Sequence, residues 1–240
     1  MTTPLNLYEL PAMRTITGPA IRPGGLTLTD RAMDICRLAP DMRVLDVGCG
    51  CGVTVAHLRQ RYGLRAIGMD LSRKLLAEAD IALNRLPLIQ GRGETLPISS
   101  ESVTAVFCEC VLSLMEDPEI ALLEWRRVSA SNGFLVLSDL YAREGGEEKQ
   151  SSLPVRCCLS GAVGRQLLFQ RVREAGFEIV RFEDHTYLLK QLAAQLVWTY
   201  GSMEAFWSQW GGGGGKANAS TSGRPGYYLL IARKKGDRHG

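Results

Sequence analysis

Two acids and a run of glycines carry the first chemical signal in this chain. Asp46 stands in Val44-Leu45-Asp46-Val47-Gly48-Cys49-Gly50-Cys51-Gly52, an apolar run that breaks into a glycine turn. Glycines permit positive φ and let a ligand approach the backbone closely. The dinucleotide fingerprint GxGxxG would need its last glycine where Val53 stands, and no Gly-Lys-Ser/Thr follows that would make a P-loop. A carboxylate two residues ahead of the turn repels a pyrophosphate and attracts an ammonium. The turn therefore suits a ligand with a cationic amino end and no phosphate. Asp70, in Ile67-Gly68-Met69-Asp70-Leu71-Ser72, closes the next apolar run. An acid at the end of a second strand can accept hydrogen bonds from both hydroxyls of a ribose.

The second signal is sulfur. The chain holds seven cysteines in 240 residues, an odd count in a long sequence, which does not suit a disulfide framework. They occur as Cys49-x-Cys51, Cys108-x-Cys110, the adjacent Cys157-Cys158, and Cys36. No CxxC pair is present, and His57, His185 and His239 have no zinc-ligand spacing, so no metal centre is expected. Packing accounts readily for Cys49, a small turn residue, and Cys108, the end of a buried strand. Cys110, Cys157 and Cys158 remain candidates for either packing or chemistry. The last two follow a polar loop, Ala142 to Ser152, and are expected to reach solvent, with Cys110 across the cleft. A lowered thiol pKa is expected if they act, since the thiolate is the reactive form. Glu109 and His185 are the candidates for a proton acceptor.

The elements that must position these residues alternate. Apolar strands are expected at Arg43 to Val47, Leu64 to Met69, Pro87 to Gln90, Val103 to Cys108 and Phe134 to Ser138. Helices are expected from a cap at Thr29 or Asp30 to about Leu38, from Cys51 to Tyr62, from Ser72 to about Leu83, and from Pro118 to Ala130. In the last of these Ile120, Leu123 and Val128 are expected to face inward. Apolar runs alternating with amphipathic helices indicate a parallel sheet covered on both faces. A helix from Gly164 to Ala175 stops at Gly176, and Glu178 to Phe182 and Tyr227 to Ala232 read as an antiparallel pair. The pattern predicts an α/β, Rossmann-like, seven-stranded sheet in the order 3-2-1-4-5-7-6, strand 7 antiparallel. Residues 1–25 read as an irregular arm in which Arg22-Pro23-Gly24-Gly25-Leu26 suits a lid. A helical insert, Leu188 to Trp210, carries Trp198, Trp207 and Trp210, expected mainly to pack on the core. A low-complexity glycine stretch follows it. No internal repeat or domain boundary is evident, so a single domain over 1–240 is expected: arm and helix to 40, ligand-binding core 41–140, and a second half 141–240.

Bulk properties exclude some classes. A net charge of +3 without a basic, aromatic-interleaved stripe gives no nucleic-acid partner. Arg233, Lys234, Lys235 and Arg238 read as a solvated tail. No apolar run approaches the ~18 residues of a membrane span. The N-terminus lacks the basic and apolar regions of a signal peptide, so a cytoplasmic protein with no membrane partner is expected.

Taken together, the acid-x-Gly-x-Gly-x-Gly turn, Asp70, and Gly91-Arg92-Gly93-Glu94-Thr95-Leu96-Pro97 resemble class I methyltransferases, of the type 11 kind, over Arg43 to Leu140. The resemblance implies S-adenosyl-L-methionine as cofactor and S-adenosyl-L-homocysteine as product. It implies a cofactor site from Asp46, Gly48, Cys49, Gly50, Gly52, Asp70, Leu71, Gly93, Glu94 and Cys108. Arg92 stands where the family commonly has an Asp that meets adenine, which leaves adenine to the backbone at Gly93 and Glu94. A fold that kept its glycines without the ligand is opposed by the presence of both acids. A narrower likeness joins Cys110-Val111-Leu112-Ser113-Leu114, Cys157-Cys158-Leu159-Ser160-Gly161-Ala162 and Ala175-Gly176-Phe177. These segments resemble arsenite methyltransferases, in which a Cys-Leu-x-Gly-Ala segment supplies one thiolate, matched here by Cys158. That family's other thiolates have no counterpart, because neither 1–23 nor 182–240 contains a cysteine. The expected function is methyl transfer to a small-molecule acceptor, with a soft acceptor such as arsenite, or cofactor binding without catalysis, as alternatives.

Overall fold

The computed structural model describes residues 5–82, 85–143, 155–209 and 224–236. Leu83, most of the polar loop after Arg143, Trp210, the glycine stretch to residue 223 and Arg238 lie outside the described residues. In chain order the elements are β1 (Leu5–Asn6), α1 (Pro11–Thr17), α2 (Thr27–Cys36), β2 (Arg43–Val47), α3 (Val53–Tyr62), β3 (Arg65–Asp70), α4 (Arg73–Ala82) and β4 (Leu88–Gln90). There follow β5 (Val103–Glu109), α5 (Pro118–Val128), β6 (Ser129–Ala142), β7 (Val155–Arg156), α6 (Arg165–Glu174), β8 (Phe177–Asp184), α7 (Thr186–Tyr200), α8 (Met203–Ser208) and β9 (Pro225–Lys234).

The main sheet runs β4-β3-β2-β5-β6-β9-β8, which is the expected order 3-2-1-4-5-7-6. Strands β4 to β6 are parallel, and β9 is antiparallel to both β6 and β8. A separate two-stranded pair joins β1 to β7. The central strands are apolar on both faces because successive side chains enter two different cores. Leu45, Val47, Val106 and Cys108 meet Leu122, Trp125 and Val128 of α5 and Leu168 and Val172 of α6. Val44, Ala105 and Phe107 meet Leu28 and Met33 of α2 and Val55 and Leu58 of α3. A third cluster joins Leu7, Met13 and Ile21 to Leu196, Phe206 and Trp207.

Five expectations are corrected. The N-terminal arm is not irregular: it forms β1 and α1, because Leu7, Met13 and Ile21 find apolar partners in α7 and α8. Helix α2 begins at Thr27, so Thr29 and Asp30 lie inside it; the Thr29 hydroxyl instead reaches Glu109. In α5, Ile120 and Leu123 are half-exposed, and Ala121, Leu122, Trp125 and Val128 face inward. That phase is held by the Trp125 indole, whose Nε1 donates to the Gly93 carbonyl at 3.0 Å. Trp198 is 91% exposed, whereas Trp207 is buried. Arg233 and Lys234 belong to β9, and the Lys234 ammonium is buried against Glu101 and the Ser129 carbonyl.

Candidate cofactor and acceptor site

A cavity opens beyond the carboxyl ends of β2, β3 and β5, where open α/β sheets bind ligands. Its floor is the turn after β2, with Asp46, Gly48, Cys49 and Gly50. Asp70 and Leu71 stand at the end of β3, and Gly93 and Glu94 follow β4. Glu109 and Cys110 close the inner end, and Asn6, Tyr8 and Pro19 to Arg22 form the roof. The structure thus gathers eight of the ten residues expected around a cofactor. The other two, Gly52 and Cys108, do not line the cavity. Gly52 turns the chain into α3 at φ 73°, and Cys108 points into the core beside Val106 and Leu137.

The turn needs its glycines. Gly48 and Gly50 have φ of 74° and 53°, in the region that disfavours a side chain. A Cβ at Gly48 would also collide with the side chain of Val111. The Gly50 amide donates to one Asp70 oxygen at 2.7 Å, and the Ser72 amide donates to the other at 2.7 Å. These bonds fix the carboxylate on the cavity wall while leaving each oxygen a further lone pair. Burial nonetheless raises the Asp70 pKa.

Asp46 is 2% exposed. Among the described residues no donor reaches its carboxylate. Burial pushes its pKa up to about 8; nearby Glu109 adds to the rise and Arg22 opposes it. A buried acid without a partner, on the wall of a cavity, is a receptor for a cation.

Glu109 is in the opposite condition. Its carboxylate accepts from Thr29 Oγ1 at 3.0 Å and Thr54 Oγ1 at 3.1 Å, and lies 2.8 Å from Arg22 Nη2. The Arg22 Nε donates to the Gly25 carbonyl at 2.9 Å. Glu109 therefore ties the Arg22-Pro23-Gly24-Gly25 segment over the cavity, and both of its oxygens accept hydrogen bonds. His185 does not reach the cavity wall. Its Nε2 lies 3.1 Å from Glu183, whose own pKa is held down at about 2, chiefly by Arg31. Arg92 is turned toward Glu116, with Nη2 donating at 2.6 Å.

The cysteines gather differently from expectation. All seven are buried and none is in a disulfide. Cys49, Cys51 and Cys110 line the cavity. Cys157 and Cys158 do not reach solvent, because the segment after β7 is covered by the N-terminal residues: Cys157 packs with Leu7, and the Cys158 amide donates to the Tyr8 hydroxyl at 3.0 Å. Cys110 is beside Cys158 rather than across a cleft. Their sulfurs and an Asp139 oxygen all lie within 4.8 Å of one another. The lowered thiol pKa expected if these residues act is not found in Cys157 or Cys158: the neighbouring Cys110 and burial push Cys158 well up, and burial pushes Cys157 up. Sequence reading missed Asp139, Tyr8 and Tyr227, whose hydroxyl is 3.3 Å from Cys110 Sγ. No local motif marks them.

The sheet order and the cavity at the carboxyl ends of its strands define a class I methyltransferase fold. Residues 45–137 match the family model described as a methyltransferase domain. An uncharacterized methyltransferase, YodH, of Bacillus subtilis is 33% identical over 120 residues, covering 48% of this chain and 50% of that protein. An arsenite methyltransferase of Halobacterium salinarum is 29% identical over 152 residues, covering 60% of this chain and 39% of that protein. The chain spans about half the length of the curated relatives it matches. A solved structure of the [4+2]-cyclase SpnF superposes with a TM-score of 0.69 at 21% identity, covering 99% of each chain. That likeness shows the fold alone, because one fold hosts many chemistries. The family's cofactor is S-adenosylmethionine. The residues present suit it: an unpartnered buried acid for its ammonium, a fixed acid for its ribose, and the exposed apolar face of Leu71 on the wall.

Proposed function

We propose that this protein transfers a methyl group from S-adenosylmethionine to a small-molecule acceptor bound at the inner end of the cavity. In this reading Asp46 takes the cofactor's ammonium, Asp70 takes the ribose hydroxyls, and Leu71, Gly93 and Glu94 flank the adenine. The bound cofactor supplies an electrophilic methyl group on a sulfonium. The chain's own part is to orient and to exclude water; good orientation is worth roughly 7–11 kcal/mol in such displacements. The roof from Tyr8 to Arg22, held down by the Arg22–Glu109 pair, serves that exclusion. The observation that carries the reading is the buried, unpartnered Asp46 beside the glycine turn. The reading treats the whole chain as one cytoplasmic unit, with 41–140 as the cofactor half and 141–240 as the acceptor half. It assigns no nucleic-acid or membrane partner. No described helix is long and apolar enough to cross a membrane.

With Glu109 held by Arg22, Thr29 and Thr54, His185 away from the wall and Asp46 assigned to the cofactor's ammonium, neither proton-acceptor candidate is free to serve the inner end. That favours an acceptor needing little proton removal. A second reading, methylation of arsenite or another thiophilic acceptor, is favoured by the adjacency of Cys110 and Cys158 next to the cavity. Calorimetry with the cofactor and its demethylated product, followed by turnover on a panel of small acceptors and on arsenite with excess thiol, tests both. Micromolar binding of both ligands with turnover on one acceptor supports the proposal. Binding of neither overturns the cofactor assignment, and binding without any turnover favours a non-catalytic protein. Arsenite turnover unchanged in Cys158→Ser removes the thiols from that reading.

A further inference from the structure

Cys110, Asp139 and Cys158 come from three separate parts of the chain: the turn after β5, the interior of β6 and the segment after β7. All three are buried, and their ligand-type atoms lie within 4.8 Å of one another. Among the described residues this is the one group of three such side chains so placed. We propose that the three form a binding site for a single thiophilic divalent cation of the zinc type, through the two sulfurs and one carboxylate oxygen.

The donor set selects the ion. Two thiolates favour a soft or borderline cation over magnesium or calcium, and a carboxylate beside them favours zinc over cuprous copper. Zinc takes sulfur at ~2.3 Å and carboxylate oxygen at ~2.0–2.2 Å in tetrahedral geometry. Those lengths set the sulfurs roughly 3.8 Å apart, so the present cluster needs only a slight contraction. Three protein ligands leave the fourth position to water or an incoming ligand.

The surroundings are already arranged as an outer shell. The Asp139 carboxylate accepts from the Ser113 amide at 2.9 Å, the Ser113 hydroxyl at 2.9 Å and the Leu140 amide at 2.7 Å. Such bonds orient a metal-binding carboxylate and restrain its rotation. The Tyr227 hydroxyl, 3.3 Å from Cys110 Sγ, can donate to the thiolate that the cation creates. Cys110 itself is held at φ 59°, with its amide donating to the Ser138 carbonyl at 2.6 Å. A non-glycine residue in that region costs of order 1–3 kcal/mol and persists only where its surroundings enforce it. The cluster also has two routes of entry. Cys110 lies on the wall of the cofactor cavity, and Asp139 on the wall of a second cavity lined by Ser113, Tyr141 and Ser160.

Binding displaces the two thiol protons to solvent, leaving two thiolates and a carboxylate around a dication. The inference does not depend on the acceptor. A trivalent arsenical needs only the two thiols, whereas the cation uses Asp139 as well.

The test uses the full chain, reduced with a phosphine and stripped by a chelator. Titration with Co2+ is expected to give a thiolate-to-cobalt charge-transfer band that saturates at one ion per chain and is bleached by Zn2+. Cys110→Ser and Cys158→Ser should abolish the band. Asp139→Asn should weaken binding at least ~10-fold, and Cys36→Ala should leave it unchanged. On the wild type, Zn2+ should slow alkylation of Cys110 and Cys158 and of no other cysteine, which gives an answer even if a variant does not fold. Absence of the band, its persistence in Cys158→Ser, full cation affinity in Asp139→Asn, or protection of other cysteines would overturn the proposal.

Discussion

The Arg22 guanidinium lies 2.8 Å from the Glu109 carboxylate, with side-chain exposures of 7% and 1%. The pair joins the N-terminal segment to the end of β5 and is shared with Thr29 and Thr54. Removing one member of such a pair leaves the other charged and buried, which costs about 3–5 kcal/mol. Arg22→Met and Glu109→Gln are each expected to lower unfolding free energy in urea by that amount. The double variant should cost less than the sum of the two. Because the pair anchors the roof, both single variants should also expose residues 5–26 to limited proteolysis. Additive losses would show that the two side chains do not act together.

Asp70 makes a second testable link, between the glycine turn and a ligand. Its loss removes a charged acceptor, worth roughly 1.5–3 kcal/mol. Asp70→Ala should therefore weaken binding of S-adenosylhomocysteine about 10- to 100-fold by calorimetry. Asp70→Asn keeps acceptor oxygen for one of the two amides, Gly50 or Ser72, and should fall between. Unchanged affinity in both variants would place the ribose elsewhere.

The parts of the site legible in the sequence are those written locally. Asp46 with its glycines, and Asp70 at the end of the neighbouring strand, are each fixed by a strand and the turn that ends it. The sheet order followed from the alternation of apolar strands with helices and the closing strand pair. The roof over the cavity was legible only as Arg22-Pro23-Gly24-Gly25, because its anchor, Glu109, is remote in sequence. Of the Cys110–Asp139–Cys158 cluster the two cysteines were legible as candidates, but Asp139 and the adjacency of the sulfurs were not, because no spacing rule joins residues that meet only when β5, β6 and the segment after β7 come together. Ile120 and Leu123 were assigned to the wrong face of α5 because its apolar residues fit two adjacent stripes, and the Trp125–Gly93 bond selects one. Trp198 and Trp207 look alike in sequence and have opposite exposures.

That last contrast gives a direct test of the insert. Trp207 is in van der Waals reach of Phe206 and belongs to the cluster with Leu7, Met13 and Ile21. Trp207→Ala should cost about 3–5 kcal/mol. It should also loosen the roof, since the same cluster holds the N-terminal segment. Trp198→Ala should stay within ~0.5 kcal/mol of wild type. Fluorescence should find Trp198 readily quenched by iodide and Trp207 protected. Equal stability losses in the two variants would mean that α7 turns its other face inward.

The final prediction concerns pH and follows from Asp46. In the ligand-free protein burial raises its pKa to about 8, against ~3.9 in an unfolded chain. A folded state with the higher pKa binds more protons than the unfolded state between those values. The stabilising contribution is therefore complete below about pH 4 and is lost as pH rises through about 8. Asp139, raised by burial to about 6, has the same sign but finishes its loss at lower pH. Asp70, also raised by burial, acts in the same direction, and between pH 6 and 8 Asp46 should contribute a decline of up to ~1.4 kcal/mol per pH unit. Urea unfolding of wild type and Asp46→Asn at matched pH isolates this term, because other titrating groups are common to both. The wild type should lose stability relative to the variant across that window. Binding a cationic ligand favours the carboxylate, so calorimetry at pH 7 in buffers of different ionisation enthalpy should show proton release from Asp46 in the wild type and a smaller release in the variant. Parallel stability curves and equal proton release would mean that Asp46 is already ionised in the ligand-free protein and is not the ammonium's partner.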